Sequence, residues 1–351
     1  MAEVSVELAF EQRRLMVSHF QTVRLKQEAK IKPQRLIGGA LIVNPGKQPV
    51  LEDRVVSISS HELAIQVQAI GLCRTDLRVF DGTIPVSTPL VPGHEFAGVV
   101  VAIGDDVASF KAGDRVVVNP VYPCGRCNFC EQSPELCQQT KFLGVGLDGA
   151  CRQFISVPES AVFPMPDSLS FCEAAFAEPV AASLAVLNAS IKPENKGVLL
   201  GSNRISELTM RILSVNGFNN ITRCSEADLA NLPSHTFDFA IETMATTETI
   251  NHLIRCLKPN GTLVLKSRQQ APIELTLADL LPKRLRIECV NYGPFSGAIE
   301  LLASGRVSVK DLVGTEYALS DFELAFAQAA KDEQVKTFIV PNASSLPATE
   351  G

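Results

Sequence analysis

The chain has 351 residues, and its 46% hydrophobic and 20% charged residues are typical of a soluble globular protein large enough for two domains. The net charge of −6 at pH 7 argues against a nucleic-acid partner, which needs a basic face, and no uninterrupted apolar run is long enough to span a membrane. The first residues lack the charged, apolar and small-residue order of a secretion signal. We therefore expect a cytoplasmic protein that binds neither nucleic acid nor membranes.

The predicted elements change character along the chain. Residues 1–36 are rich in Glu, Gln, Arg, Lys and Leu, with no proline before Pro33, which favours a helix that serves as a surface or oligomer contact. From 37 to 165, short β-like runs such as "LAIQVQAIGL" and "GDRVVVNP" indicate an all-β region. Between 166 and 290 a helical stretch, "FCEAAFAEPVAASLAVLNAS", precedes alternating strands and helices, which predict a parallel sheet with crossover helices.

Four cysteines crowd into "CGRCNFCEQSPELC". Cys124, Cys127, Cys130 and Cys137 form a C-x2-C-x2-C-x6-C array, whose short gaps let one loop wrap four thiolates around a tetrahedral zinc ion. Since the thiolates fill every position, this zinc would be structural. A redox pair, an iron–sulfur site and chance spacing are the alternatives. The remaining cysteines outside the motifs are predicted as ordinary buried thiols: Cys151, Cys172, Cys224, Cys256 and Cys289.

A second set of metal-type residues is spread over three segments. "GLCRTD" supplies Cys73, "PGHEFAG" supplies His94 and Glu95, and "FAEPVA" supplies Glu178. Each alone is more often a packing residue. Together, one thiolate, one imidazole and one or two carboxylates make a zinc site with an exchangeable position, the arrangement that catalysis needs.

The order and spacing of these motifs resemble those of the medium-chain, zinc-dependent dehydrogenases, above all the sorbitol and threonine dehydrogenase branch. His94 follows Cys73 by 21 positions, and the four-cysteine segment begins 30 positions after His94. The resemblance covers about 37–351 and implies an α/β fold: a GroES-like β-barrel catalytic domain over 37–165, continued by 291–351. A Rossmann-like nucleotide-binding domain, a reduced doubly wound parallel sheet, is expected over 166–290, after the N-terminal helical extension at 1–36.

The resemblance also implies roles for the metal-type residues. Cys73 and His94 would bind a catalytic zinc, with Glu95 and Glu178 as carboxylate ligands that exchange with water or substrate. The implied function is a zinc-dependent oxidoreductase that transfers a hydride between a secondary alcohol or polyol and NAD or NADP. It would hold two Zn²⁺ per chain, act on a small-molecule alcohol or ketone, and form a homodimer or homotetramer.

The residues that follow Cys73 have implied roles as well. Thr75 would take the proton of the substrate hydroxyl, and Asp76 would orient the imidazole that binds zinc. Arg74 would face the coenzyme pyrophosphate. Some relatives have a histidine as the outer group of the proton relay, and Arg78 stands at that position here.

The expected coenzyme turn, "VLLGSNRISEL", is poor in glycine. A dinucleotide turn uses three glycines, for the bend, for backbone approach to the pyrophosphate and for helix packing. Here the turn residues are Gly201, Ser202, Asn203 and Ile205, and the pattern is G-x-N-x-x-S. We expect a graded loss of affinity, because asparagine tolerates positive φ and serine adds little bulk. Arg223, where the second strand ends, is interpreted either as a receptor for the 2′-phosphate of NADP or as a solvated surface residue.

The chain segment that follows Arg223, and would complete this side of the coenzyme site, is also short. Only 14 positions separate Arg223 from the next clear strand at Phe237, so one strand and most of its helices are predicted to be missing. Two functions therefore remain: an active dehydrogenase with a trimmed nucleotide domain, and a zinc-stabilised binding or scaffold protein that has lost dinucleotide binding. A quinone-reductase-like relative without catalytic zinc is a third alternative, against which Cys73 and His94 argue.

Overall fold

The computed structural model describes residues 36–86, 89–269 and 271–343. The predicted N-terminal helix lies outside the described residues. The described part contains two main sheets, one mostly antiparallel and one wholly parallel, joined by helices that contribute to both cores.

The mostly antiparallel sheet has seven strands in the order β15-β16-β3-β4-β5-β9, with β8 paired to the side of β3. Two further antiparallel pairs, β1-β2 and β6-β7, lie beside it. The strands of this half are β1 (Leu36–Ile42), β2 (Val50–Val56), β3 (Glu62–Gly71), β4 (Glu95–Ile103), β5 (Arg115–Val118), β6 (Val121–Tyr122), β7 (Lys141–Phe142), β8 (Phe154–Pro158), β9 (Val162–Pro164), β15 (Val313–Ala318) and β16 (Lys336–Val340). Because β15 and β16 complete a sheet begun by β3, the end of the chain returns to its first half.

The prediction of an all-β region over 37–165 was wrong in two places. Helices Arg74–Phe80 and Asn128–Gln132 interrupt it, and both begin directly after a cysteine of the metal motifs. Each helix is short and contributes little to the hydrophobic pattern, so the sequence pattern of the flanking strands concealed it.

The parallel sheet has five strands in the order β11-β10-β12-β13-β14. They are β10 (Gly197–Leu200), β11 (Ile221–Cys224), β12 (Phe237–Glu242), β13 (Leu257–Leu265) and β14 (Arg286–Cys289). Helices Arg204–Val215 and Thr247–Cys256 are its longer crossovers, and a short helix, Leu277–Leu280, precedes β14. Between β11 and β12 the chain forms one 3-10 helix, Glu226–Asn231, so the predicted loss of a strand and its helices is confirmed.

The long predicted helix after residue 170 is broken. It consists of Phe171–Ala175, Ala177–Leu184 and a 3-10 turn, Ala185–Asn188. By length and composition, Phe171–Asn188 is the one membrane-span candidate among the described residues, but 72% of it is buried inside the protein. It is therefore a core element of the fold.

One hydrophobic cluster contains residues of both halves. Leu208 and Ile212 of helix Arg204–Val215 pack in the same buried cluster as Phe338 of β16. Helix Phe295–Ala303 connects the parallel sheet back to β15, and helix Phe322–Lys331 connects β15 to β16. The assignment of 37–165 with 291–351 to one domain and 166–290 to the other remains a prediction.

Candidate active site

The pairing of β3 with β4 brings Cys73 and His94 together. In this antiparallel register Gly71, the last residue of β3, lies opposite Glu95, the first residue of β4. Cys73 follows β3 by two positions and His94 precedes β4 by one, so residues 21 positions apart meet at one sheet end. Ligand atoms of Cys73, His94 and Glu95 all lie within 4.8 Å of one another.

Asp76 holds His94 in place from the first turn of helix Arg74–Phe80. Its Oδ1 lies 3.1 Å from Nδ1 of His94 and also accepts from the Gly93 N–H at 3.0 Å, while Oδ2 accepts from the Cys73 N–H at 2.9 Å. Burial alone would raise the pKa of Asp76, but the charge and hydrogen bond of His94 together with these amides lower it. The fixed carboxylate leaves Nε2 of His94 as the nitrogen for a metal.

The turn before His94 requires its glycine. Gly93 has φ +100°, and a Cβ there would lie 2.9 Å from both the backbone nitrogen and the Sγ of Cys151. Any larger residue would push this turn away from the buried Cys151 and displace the imidazole.

Glu95 has a second partner that the sequence reasoning missed. The Nζ of Lys336, at the start of β16, forms an ion pair with Oε2 of Glu95, and both side chains are almost fully buried. Oε1 of Glu95 lies 4.0 Å from Nε2 of His94. The pair spans 241 positions and depends on β16 lying against β3, so no local signal predicted it.

Glu178 lies near the three-residue cluster but outside it. The Tyr292 hydroxyl donates to its Oε1, and Glu178 is 6% exposed. Burial raises the pKa of Glu178, and the nearby charge of Glu95 raises it further. The ligand set that the structure brings together is therefore Cys73, His94 and Glu95, with Glu178 on the wall of the same cleft.

This cleft separates the two sheets and encloses a cavity of about 390 Å³. One wall carries the Cys73 cluster with Arg74, Thr75 and Arg78. The other wall is the carboxyl edge of the parallel sheet, where Asn203, Thr243 and Lys266 follow the ends of β10, β12 and β13. Carboxyl edges of parallel sheets are the usual ligand sites of such folds.

The coenzyme turn lies at that edge and keeps its first glycine for a steric reason. Gly201 has φ +139°, and a Cβ there would lie 2.1 Å from the Thr243 hydroxyl. Asn203 caps helix Arg204–Val215, its side chain accepting from the Ser206 N–H at 2.9 Å. Asn203 and Ile205 line the cleft, whereas Gly201 and Ser202 are not among its lining residues.

Arg223 is engaged with this turn. Its Nε donates to the Gly201 carbonyl at 3.1 Å, its Nη2 to the Ser206 hydroxyl at 2.9 Å, and its Nη1 pairs with Glu207. The guanidinium thus contacts the glycine-poor turn from outside the cleft lining, and Arg223 is an exposed residue that has hydrogen-bond partners of its own.

Arg74 and the start of helix Arg204–Val215 share a partner from the far end of the chain. The Glu333 carboxylate pairs with Arg74, and the Glu333 carbonyl accepts from the Arg204 backbone N–H at 3.1 Å and from its guanidinium at 3.3 Å. One residue therefore contacts two of the groups expected to face a coenzyme pyrophosphate.

The four cysteines of the lobe, residues 121–142, converge as their spacing predicts. All four sulfurs lie within 4.8 Å of one another; Cys124 and Cys130 are 3.8 Å apart, and Cys127 and Cys130 are 3.5 Å apart. Four thiolates at about 2.3 Å from one zinc ion are about 3.8 Å apart, so this donor set fits zinc. The four residues of the predicted set are Cys124, Cys127, Cys130 and Cys137.

Four of the other five cysteines are buried as predicted, and the fifth is not. Cys289 is exposed because β14, which it ends, is an edge strand of the parallel sheet. A metal-type cluster that faces the carboxyl edge of a parallel sheet across a cleft is the arrangement of a metal-dependent enzyme that binds a ligand at that edge.

Comparison with known proteins gives the family. Residues 59–167 match the alcohol dehydrogenase GroES-like domain. The chain is 30% identical over 330 residues to a sorbitol dehydrogenase of Bacillus subtilis, covering 82% of this chain and 92% of the relative. It is 27% identical over 325 residues to a probable D-xylulose reductase A of Emericella nidulans, covering 80% and 89%. The crystal structure of 2R,3R-butanediol dehydrogenase from Bacillus subtilis superposes with a TM-score of 0.78 at 25% identity, covering 87% of this chain and 100% of that one. The chain belongs to the zinc-dependent medium-chain dehydrogenases and is an oxidoreductase.

Proposed function

We propose that this protein oxidises a secondary hydroxyl of a polyol, or reduces the corresponding ketone, with NAD or NADP as the hydride carrier. The observation that carries the proposal is the position of the Cys73, His94 and Glu95 cluster, which faces the carboxyl edge of a parallel sheet across one cleft. A metal on one wall and a nicotinamide on the other would hold an alcohol carbon between them.

Two zinc ions per chain fit the two clusters. When bound beside Cys73 and His94, zinc acts as a Lewis acid that makes a substrate hydroxyl more acidic. The chain supplies an imidazole whose orientation Asp76 fixes and a carboxylate, Glu95, whose charge Lys336 balances. Glu178, which accepts a hydrogen bond from Tyr292, would be a further carboxylate ligand on the cleft wall.

The substrate proton leaves along helix Arg74–Phe80. Thr75 and Arg78 both line the cleft and are three positions apart, so their side chains lie on one helix face. The Thr75 hydroxyl can accept a proton from the substrate and donate its own toward water at Arg78. Arg78 itself stays protonated, so water is the final acceptor.

The coenzyme site fits a dinucleotide incompletely. The N-terminus of helix Arg204–Val215 would attract a phosphate, but the Asn203 side chain and the Glu333 carbonyl already accept from two of its N–H groups. The side chains of Arg74 and Arg204 are cationic groups that line the cleft near this helix. Selection of NADP through Arg223 would require a 2′-phosphate to compete with Glu207 for the guanidinium.

Titration of the zinc-loaded protein with NADH and NADPH, followed by their fluorescence, tests the proposed function. We expect a dissociation constant below about 1 mM for at least one of them. We also expect the protein to reduce NAD or NADP when sorbitol, xylitol or butanediol is added. No fluorescence change at millimolar coenzyme would contradict the proposal and favour a scaffold.

Replacing Glu333 with glutamine is expected to tighten coenzyme binding by about threefold to tenfold. The exposed ion pair with Arg74 is weak, and removing it frees a cation and deletes a negative charge beside the pyrophosphate. The change is read from the same fluorescence titration, with Glu323→Gln, on the exposed face of helix Phe322–Lys331, as the control. Weaker binding in Glu333→Gln would mean that Glu333 positions Arg74 for the coenzyme.

We propose that the chain forms a homodimer or homotetramer through the edge of the parallel sheet at β14. β14 and the segment before it expose four large apolar side chains, which a monomer would leave in water: Leu275, Leu277, Leu281 and Ile287. Light scattering should give a multiple of 37.9 kDa, and the double variant Leu277→Glu and Leu281→Glu should give the monomer mass. A monomeric unmodified protein would overturn this assignment.

We place the protein in the cytoplasm. All ten cysteines are free thiols, and nine of them belong to metal-type clusters or are buried. Reduced thiols are characteristic of reducing compartments. Recovery of the native protein in a secreted or periplasmic fraction would contradict this placement.

A further inference from the structure

The segment after β13 places two cations in the cleft. Its sequence is Lys266-Ser267-Arg268, and both basic side chains line the cavity that contains the Cys73 cluster. The backbone is fixed, because Oε1 of the buried Glu242 accepts from the Lys266 N–H at 2.7 Å and from the Ser267 N–H at 2.8 Å. The cations therefore sit on a rigid support.

Arg268 lies beside the metal-type cluster. Its guanidinium is 5.0 Å from the centre of the Tyr292 ring and 5.9 Å from the centre of the Phe142 ring, and it donates to Asn291 Oδ1 at 2.8 Å. The Phe142 ring is in turn 5.0 Å from the His94 ring. The guanidinium is thus held by two aromatic faces within about 11 Å of the imidazole.

Lys266 is a partly buried cation whose hydrogen-bond acceptor is a neutral carbonyl. Its Nζ donates to the Ala182 carbonyl, and burial lowers its pKa to about 8. Among the described residues, neither Lys266 nor Arg268 has a carboxylate within 4.0 Å. Two other cations of the cleft are matched, Lys336 by Glu95 and Arg74 by Glu333.

Lys266 is half-buried and Arg268 is exposed, and the charge of Glu178 acts on both, but neither forms an ion pair among the described residues, so both are available to an anionic ligand in the cleft. We propose that Lys266 and Arg268 form a subsite for the anionic group of the substrate, a carboxylate or a phosphate. The substrate class is then a sugar acid or a sugar phosphate whose hydroxyl-bearing carbon reaches the Cys73 cluster. This assignment rests on the proposed function, since it names the substrate of the same cleft.

The test uses three probes that share a polyol chain and differ in charge: sorbitol, D-gluconate and sorbitol 6-phosphate. Each is titrated calorimetrically into the zinc-loaded protein without coenzyme. We expect one or both anions to bind at least about tenfold more tightly than sorbitol, because a charge-assisted bidentate contact replaces a neutral one. The preferred anion, carboxylate or phosphate, identifies the group that the subsite takes. Equal binding of all three probes would overturn the subsite.

Variants decide which residues are responsible. Arg268→Gln should reduce the preference for the anion over sorbitol at least about tenfold, whereas Arg268→Lys, which keeps the charge, should retain part of it. Arg284→Gln, on the exposed segment before β14, is the matched control and should keep the full preference. An undiminished preference in Arg268→Gln and in Lys266→Met would overturn the assignment.

The outcomes separate this inference from the proposed function. If gluconate binding depends on Arg268 but no alcohol reduces either coenzyme, the subsite stands and the dehydrogenase activity fails. If sorbitol is oxidised while the anions bind no better than sorbitol, the activity stands and the subsite fails. Where turnover is measurable, Arg268→Gln should raise KM for the acid more than it lowers kcat, as expected for a residue that binds substrate equally in ground and transition states.

Discussion

Replacing Cys73 with serine is expected to lower kcat by at least about a thousandfold while the protein remains folded. The thiolate contributes much of the zinc affinity of a Cys-His-carboxylate site. A Lewis acid stabilises the transition state of such a reaction by several kcal/mol. The fold should tolerate the change, because Cys73 is the N-cap of helix Arg74–Phe80, and serine is a favoured N-cap residue. Coenzyme absorbance gives kcat, and mass spectrometry of the metal should show one zinc per chain in place of two.

Cys289→Ser is the matched control for this variant. Cys289 is also a free cysteine at a strand end, but it is exposed and lies in neither metal-type cluster. Its replacement should leave kcat and the zinc content unchanged. Retention of two zinc ions and full turnover in Cys73→Ser would show that the cluster of Cys73, His94 and Glu95 does not hold the catalytic metal.

The two metal-type clusters differ in how far the sequence predicted them. The four cysteines of the lobe lie within a few positions of one another, so loop geometry alone brings their sulfurs together. Cys73 and His94 instead meet only through the register of β3 and β4. That they meet was predicted from the order of their motifs, which resembles that of a known family, and could not be predicted from local spacing. Neither local spacing nor motif order predicted the ion pair of Glu95 with Lys336, since this pair forms only when β16 lies against β3.

Residues of the coenzyme half were harder to predict. The short interval before Phe237 correctly predicted that one strand and most of its helices are missing, because a strand cannot form without residues to build it. The partner of Arg223 was not predictable, since Glu207 lies on the preceding crossover helix and faces Arg223 only after β10 and β11 pair. A run of charge directly after the apolar "TLVL" of β13 was the available signal for Lys266 and Arg268, as carboxyl ends of parallel strands carry ligand residues.

Replacing Cys127 with serine is expected to have a different effect from replacing Cys73: the lobe 121–142 should unfold locally. The lobe has little else to hold it, since helix Asn128–Gln132 buries no residue and Phe129 is 41% exposed. Metal binding contributes about 10 kcal/mol or more to the folding of small zinc domains, which such weak packing cannot replace. Trypsin should then cut the chain after Arg126 and Lys141 at least about tenfold faster than in the unmodified protein.

This local unfolding should also reach the cleft, because the lobe ends in Phe142, whose ring packs 5.0 Å from that of His94. Cys127→Ser should therefore lose one zinc and part of its turnover, whereas Cys73→Ser should lose one zinc and nearly all turnover without faster proteolysis. The pair of variants separates a metal that supports structure from a metal that supports chemistry. If both variants lose thermal stability to the same extent and are cleaved equally fast, the division of the two sites is wrong.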